Sequence, residues 1–268
     1  MTFYQRLNQA WQDTGSLLCV GIDPQWSALD NRHRAKTQPF LSFAQDIVQQ
    51  LAGNVCAVKF QFAHFAAEAR EQELLDAISF VKHHFPKLVV ILDAKRGDIG
   101  STAAYYQQEA FQRYAADAVT LNPYLGYDSV QPFAEQPDRG CIYLCRTSNP
   151  GSDEFQSLVL QAQPPKMLYE QVATNVVTRW NHQNAMLVVG ATHVDAIRKV
   201  RRIDGNVPLL VPGIGQQGGD LDAVLRAGLT ANGFGLLLSA SRSIIEADDP
   251  AASAQALNAA INRYRAHG

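Results

Sequence analysis

The chain has 268 residues, 47% of them apolar and 18% charged, and its 23 Lys and Arg against 25 Asp and Glu leave a formal net charge of -2. This balance excludes a largely disordered chain and a protein whose main business is coating nucleic acid or an anionic membrane. The length admits either two domains of ~130 residues or one α/β barrel of ~250.

Eight short apolar runs punctuate the sequence, at Leu17–Ile22, Val55–Phe60, Leu88–Asp93, Ala118–Leu121, Cys141–Cys145, Ala185–Gly190, Val207–Pro212 and Phe234–Leu238. Each is continuous rather than alternating, the pattern of parallel strands covered on both faces. They recur about every 33 residues along the 268, with helix-like segments between them. After the third run, Ser101 or Thr102 can cap a helix with the apolar stripe Ala103, Tyr106, Ala110 and Tyr114. Near the end, Asp249-Pro250 supplies a cap and a first-turn proline for a helix with the stripe Leu257, Ala260, Ile261 and Tyr264. Strand then helix, eight times over, predicts a single (β/α)8 barrel over residues 1–268, with a doubly wound sheet as the alternative. Pro24–Phe40 and Gly151–Lys166 exceed what a barrel needs. Each follows a strand, on the face where barrel active sites are built, so each reads as a lid or as a decorated surface loop.

Cys19, Cys56, Cys141 and Cys145 are scattered through strand-like runs and read as small buried hydrophobes rather than metal ligands or disulfides. The opening residues lack the blocks of a secretory signal, and no apolar run approaches the ~18 residues of a membrane span. The expected location is the cytoplasm.

Barrel chemistry sits at the C-terminal ends of strands, where this chain offers Asp23, Lys59, Asp93, Lys95, Asp98, Ser148, Gln216 and Arg242. The densest cluster is Asp93-Ala94-Lys95-Arg96-Gly97-Asp98. If the third strand runs through Lys95, alternation points Asp93 and Lys95 to the same side. A lysine flanked by carboxylates keeps its proton, which suits a proton donor better than a Schiff-base nucleophile. The same spacing also describes a structural ion pair at a strand end. Pro212-Gly213-Ile214-Gly215-Gln216-Gln217-Gly218 contains G-x-G-x-x-G, but it follows the penultimate strand. A glycine loop there is the usual phosphate site of a barrel rather than a dinucleotide fingerprint. Ser241-Arg242 after the last strand adds a guanidinium suited to phosphate oxygens.

Asp93-x-Lys95-x-x-Asp98-Ile99-x-x-Thr102 resembles the D-x-K-x-x-D-I-x-x-T signature of the orotidine 5'-phosphate decarboxylases. Val20-Gly21-Ile22-Asp23-Pro24, Val58-Lys59-Phe60, Thr120-Leu121-Asn122-Pro123 and Thr147-Ser148-Asn149-Pro150-Gly151 resemble further motifs of that family, in order. The T-S-N-P-G segment, the glycine loop and the chain length are similar to its second, longer bacterial type. The resemblance implies a TIM barrel that converts orotidine 5'-monophosphate to uridine 5'-monophosphate and carbon dioxide without cofactor or metal, the last step of de novo UMP synthesis. It also implies a homodimer with active sites at the interface. Matched residue by residue, Lys95 would protonate C6 and Asp93 would sit beside the departing carboxylate. Asp98, Ile99 and Thr102 would reach the neighbouring subunit's site. Asp23 and Lys59 would bind ribose hydroxyls and complete a Lys-Asp-Lys-Asp array. Ser148 would meet the pyrimidine, and Gln216, Arg242 and the backbone of Ser241 would hold the phosphate. Two readings compete: a metal-dependent sister enzyme acting on sugar phosphates, and a non-catalytic barrel that binds phosphonucleotides.

Overall fold

Uninterrupted Val, Ile and Leu runs form strands where both faces are to be covered, and all eight predicted runs do so. The computed structural model describes residues 1–214 and 220–267. Its barrel strands are β1 (Leu18–Ile22), β2 (Ala57–Gln61), β3 (Val89–Arg96), β4 (Ala118–Leu121), β5 (Gly140–Arg146), β6 (Ala185–Val189), β7 (Leu209–Pro212) and β8 (Leu236–Ala240). They close in the order β1-β8-β7-β6-β5-β4-β3-β2, the doubly wound alternative being overturned by the pairing of β1 with β8 through Leu18↔Leu238 and Val20↔Ala240. The last run was expected to start at Phe234. It starts two residues later because Gly235 adopts φ +87 and Phe234 instead stacks on Trp11, with ring centroids 5.7 Å apart.

Helices α1 (Phe3–Thr14), α2 (Pro39–Leu51), α3 (Glu71–His84), α4 (Gly100–Gln108), α5 (Leu168–Asn175), α6 (Val194–Ile203), α7 (Leu221–Gly228) and α8 (Pro250–His267) surround the barrel, and β4 is followed only by the short helix Gln131–Ala134. The predicted start of α4 needs correction. Ile99 occupies the N-cap, so Ser101 and Thr102 lie in the first turn without capping it. A π turn at Glu109–Arg113 then inserts a residue into the helical phase. Ala103, Ala110 and Tyr114 are still buried, while Tyr106 packs at the margin of the core. At the other end, Asp249 accepts from Ala252 N at 2.9 Å as predicted for a cap.

The two long insertions are structured. Pro24–Phe40 holds a 3-10 turn at Trp26–Ala28 and a helix at Asn31–Arg34, and its last two residues already belong to α2. The Arg70 guanidinium lies 5.3 Å from the Trp26 ring centroid and 5.1 Å from that of Phe40, bracing the insertion against α3. Gly151–Lys166 holds a helix at Asp153–Gln156 and an antiparallel pairing of Val159–Leu160 with Lys166–Met167. The four cysteines are free and buried. Burial pushes the Cys19 thiol, beneath Lys59, up to about 12.

Helix α1 closes the N-terminal end of the barrel. Asp117, buried just before β4, accepts from Arg6 Nη2 at 3.0 Å, Lys82 Nζ at 2.7 Å and Val90 N at 2.9 Å. One carboxylate thereby joins α1, α3 and β3. Removing it leaves the Val90 amide without its acceptor, while the two half-exposed cations recover water. Asp117→Ala is expected to lower unfolding free energy by about 2–3 kcal/mol in denaturant titration, with ligand affinity at the opposite end of the barrel unchanged.

Candidate active site

A cavity of about 510 Å³ opens among the C-terminal ends of the strands and is lined by Asp23, Lys59, Asp93, Lys95, Ser148, Ser241 and Arg242, among others. Lys59 and Asp93 come from neighbouring strands. The register pairs Lys59 with Ile91 and Gln61 with Asp93, so Asp93 sits one inward position above Lys59. Lys59 Nζ reaches Asp93 Oδ2 at 2.9 Å, and Gln61 Nε2 donates to the same oxygen at 3.3 Å. Lys95 Nζ donates to Asp93 Oδ1 at 2.6 Å, and the Thr120 hydroxyl donates to that oxygen at 2.8 Å. Asp23 Oδ1 stands 4.0 Å from Lys59 Nζ. The alternating order Asp23, Lys59, Asp93, Lys95 is therefore physical as well as sequential.

Asp93 and Lys95 converge as expected, but regular strand alternation does not bring them together. β3 advances from Leu92 to Arg96 while β4 advances only from Val119 to Leu121, a bulge that re-aims the intervening side chains. Within it Lys95 adopts φ +47, a left-handed conformation that costs a non-glycine residue about 1–2 kcal/mol. Beside it, Arg96 is fixed between Phe62 and Tyr106, its guanidinium 4.5 and 4.4 Å from their centroids, and is paired with Glu109 at 2.7 Å. Glu109 opens the π turn that displaced the helical register.

Charge stabilises the array over a wide pH range. Burial by itself would raise the Asp93 carboxyl, but Lys59 and then Lys95 hold it well below its ordinary 3.8. Burial would lower the Lys59 ammonium, but Asp93 and then Asp23 hold it above its ordinary 10.5. A depressed carboxyl contributes stability above its unfolded value and loses it as pH falls toward the folded one; a raised lysine contributes below its unfolded value and loses it as pH rises. The pair therefore remains charged and fully stabilising from about pH 5 to 9.

Asp23 and Ser241 meet where β8 returns to β1. The Ser241 hydroxyl donates to Asp23 Oδ2 at 2.5 Å and lies 3.0 Å from the Gly21 carbonyl. A Cβ at Gly21 would come within 2.9 Å of Ser241 Oγ, so glycine is required there. The Ser241 side chain thus orients Asp23, a contact that its expected backbone role toward phosphate leaves out. Asp23 Oδ1 is buried with no hydrogen-bond partner among the described residues, a spare acceptor on a residue that lines the cavity. Arg242 is exposed at the start of the short helix Arg242–Ile245. Gln216 lies outside the described residues.

Ser148 is held by a folded cap that the sequence did not reveal. Thr147 N donates to Gln156 Oε1 at 2.8 Å, and Gln156 Nε2 returns a bond to Thr147 Oγ1 at 2.9 Å. Arg146, buried, donates to Ser152 Oγ at 2.6 Å and to Asp153 Oδ1 at 2.5 Å. His193 lies 3.1 Å from the Thr147 carbonyl through Nε2. Burial, then the Arg146 cation, push its pKa below the ordinary 6.5, leaving a neutral ring whose N–H donates. Gly190 comes so close that a Cβ there would lie 2.8 Å from that of Ser148. An arginine ending an apolar strand was the one available signal for this bracing.

Asp98, Ile99 and Thr102 do not line this cavity. Asp98 Oδ1 accepts from Ile99 N at 2.8 Å, and Ile99 is 60% exposed. Among the described residues no group of three or more His, Cys, Asp or Glu side chains is placed to hold a metal ion. The donor set instead suits an anionic ligand carrying hydroxyl groups.

Residues 16–257 match the model of the Orotidine 5'-phosphate decarboxylase / HUMPS family. A protein of Cupriavidus necator named orotidine 5'-phosphate decarboxylase is 48% identical over 276 aligned positions, covering 100% of both chains. One of the same name from Janthinobacterium is 45% identical over 272 positions, covering 98% of this chain and 99% of the relative. The solved structure of Leishmania donovani OMP decarboxylase is 39% identical with a TM-score of 0.87 over 99% of each chain. With sequence and fold agreeing over nearly its whole length, the chain belongs to the orotidine 5'-phosphate decarboxylase / HUMPS family.

Proposed function

We infer that this protein decarboxylates orotidine 5'-monophosphate to uridine 5'-monophosphate, the closing step of UMP synthesis, and that its chain works as one barrel domain in the cytoplasm. The observation that carries the reading is Asp93 held between two ammonium groups on the floor of a cavity that has a hydroxyl acceptor and an arginine at its rim. The phosphate dianion faces Arg242, with Gln216, outside the described residues, as its second expected ligand. The ribose hydroxyls face Asp23 and Lys59, and the pyrimidine faces Ser148. The carboxylate at C6 then lies beside Asp93 and Lys95.

As the bond from C6 to the carboxylate carbon breaks, its electron pair stays on C6 and carbon dioxide leaves neutral. The Lys95 ammonium stabilises the charge growing on C6 and transfers its proton there, afterwards regaining one from solvent. Because both oxygens of Asp93 are engaged by donors, it stays where the incoming carboxylate meets it. Binding at the remote phosphate helps to hold the two negative groups together.

Asp98, Ile99 and Thr102 complete the site of a second copy. The support is their position outside their own chain's cavity and the exposure of Ile99, Tyr105, Tyr124 and Leu125 on the neighbouring loops and helix. Among the described residues no helix is long and apolar enough to cross a membrane.

The direct test is a spectrophotometric assay of orotidine monophosphate. Turnover should persist in excess chelator; strict dependence on a divalent metal would instead favour the sugar-phosphate branch of the family. Lys95→Ala should abolish turnover while still binding uridine monophosphate, and near-normal turnover would remove the proton-donor role. Mixing the inactive Lys95→Ala and Asp98→Ala homodimers should regenerate activity, since each mixed dimer holds one site with both native residues; no recovery on mixing would contradict the shared site. Arg242→Ala should lower kcat/KM for the phosphorylated substrate by about 2–3 kcal/mol and leave the unphosphorylated nucleoside little affected.

A further inference from the structure

Thr120 lies on β4 among apolar neighbours and is almost fully buried, yet its hydroxyl touches both residues at the reacting centre. Lys95 N donates to Thr120 Oγ1 at 2.9 Å. A hydroxyl has one proton, and here it goes to Asp93 Oδ1, 2.8 Å away. The same carboxylate oxygen accepts from Lys95 Nζ at 2.6 Å. The bonds form a closed circuit from the Lys95 backbone through Thr120 to Asp93 and back to the Lys95 ammonium.

We propose that Thr120 is a positioning residue for the decarboxylation, its hydroxyl fixing the backbone turn at Lys95 and the plane of the Asp93 carboxylate so that the ammonium points at the reacting carbon. This rests on Lys95 being the proton donor. The bulge leaves Lys95 at φ +47, a conformation that persists only where its surroundings enforce it. The bond from Lys95 N to Thr120 is one such restraint. Threonine is a stiff choice for the task, because branching at Cβ restricts χ1. A valine would fill the same volume, leave the Lys95 amide without its acceptor, and free one lone pair of Asp93. Its effect would fall on geometry at the reacting centre, where a displacement of about 1 Å costs roughly 100-fold in rate.

The test compares Thr120→Val and Thr120→Ser with the parent and with Lys95→Ala. It measures kcat and KM for orotidine monophosphate, uridine monophosphate affinity by calorimetry, and the unfolding midpoint. The valine variant is expected to lose about 10- to 100-fold in kcat, with KM and product affinity within about threefold of the parent. The serine variant should recover kcat to within about threefold of the parent. A valine variant with parental kcat would overturn the proposal, as would equal losses in Val and Ser, or a loss confined to KM or to the unfolding midpoint. If the valine variant does not fold, Thr120→Ala against Thr120→Ser is judged by the same criteria. Full activity of Lys95→Ala would remove the proton-donor reading and this proposal with it. A dead Lys95→Ala beside a normal Thr120→Val removes the role of Thr120 alone.

Discussion

The buried carboxylate of Asp93, held between the ammonium groups of Lys59 and Lys95, is the interaction on which the rest of the site depends. Two cations that close together, one of them buried, are tolerable only with a negative partner between them, and the partner is tolerable in the barrel only because four donors satisfy it. Removing Asp93 leaves both ammonium groups without the partner they share. The array is therefore a unit, and the protein spends local backbone strain at Lys95 to assemble it.

Different parts of the fold converge on that unit. The β2–β3 register sets Lys59 beneath Asp93. The bulge against β4 turns Lys95 back over the carboxylate, and the packing of Arg96 between Phe62 and Tyr106 anchors the strand on its outer side. The cap after β5, braced by Arg146 and Gln156, delivers Ser148 from across the barrel. Electrostatic stabilisation of a reaction needs groups already in place, because reorganising them costs what they would contribute.

Much of this was legible in the sequence. Fully buried parallel strands must be continuous apolar runs, which is why Ala118–Leu121 could be read to the residue and the others to within two or three. Lys59, Asp93 and Lys95 stood out because charges at the ends of such runs are conspicuous. Thr120 and Gln61 did not, since a hydroxyl or amide inside a strand carries no mark of what it will touch across the barrel. The π turn at Glu109–Arg113 was equally hidden, as one extra residue per turn leaves composition unaltered. Alternation gave the right convergence of Asp93 and Lys95 by the wrong local geometry, because a bulge depends on the register of the neighbouring strand. Asp98, Ile99 and Thr102 sit at the start of α4, outside their own chain's cavity.

The return of β8 to β1 has a consequence for the order in which the molecule can be made. Asp23 is oriented by Ser241, and Leu18 and Val20 wait for Leu238 and Ala240, contacts that span nearly the whole chain. A ribosome-bound chain lacking β8 would present unpaired edges on β1 and β7 and an unoriented Asp23. Contacts of such sequence separation form late and slowly, since most of the loop entropy must be lost before they are gained. Ring closure and the orientation of Asp23 by Ser241 are thus one folding event, and a chain stalled before it is exposed to aggregation.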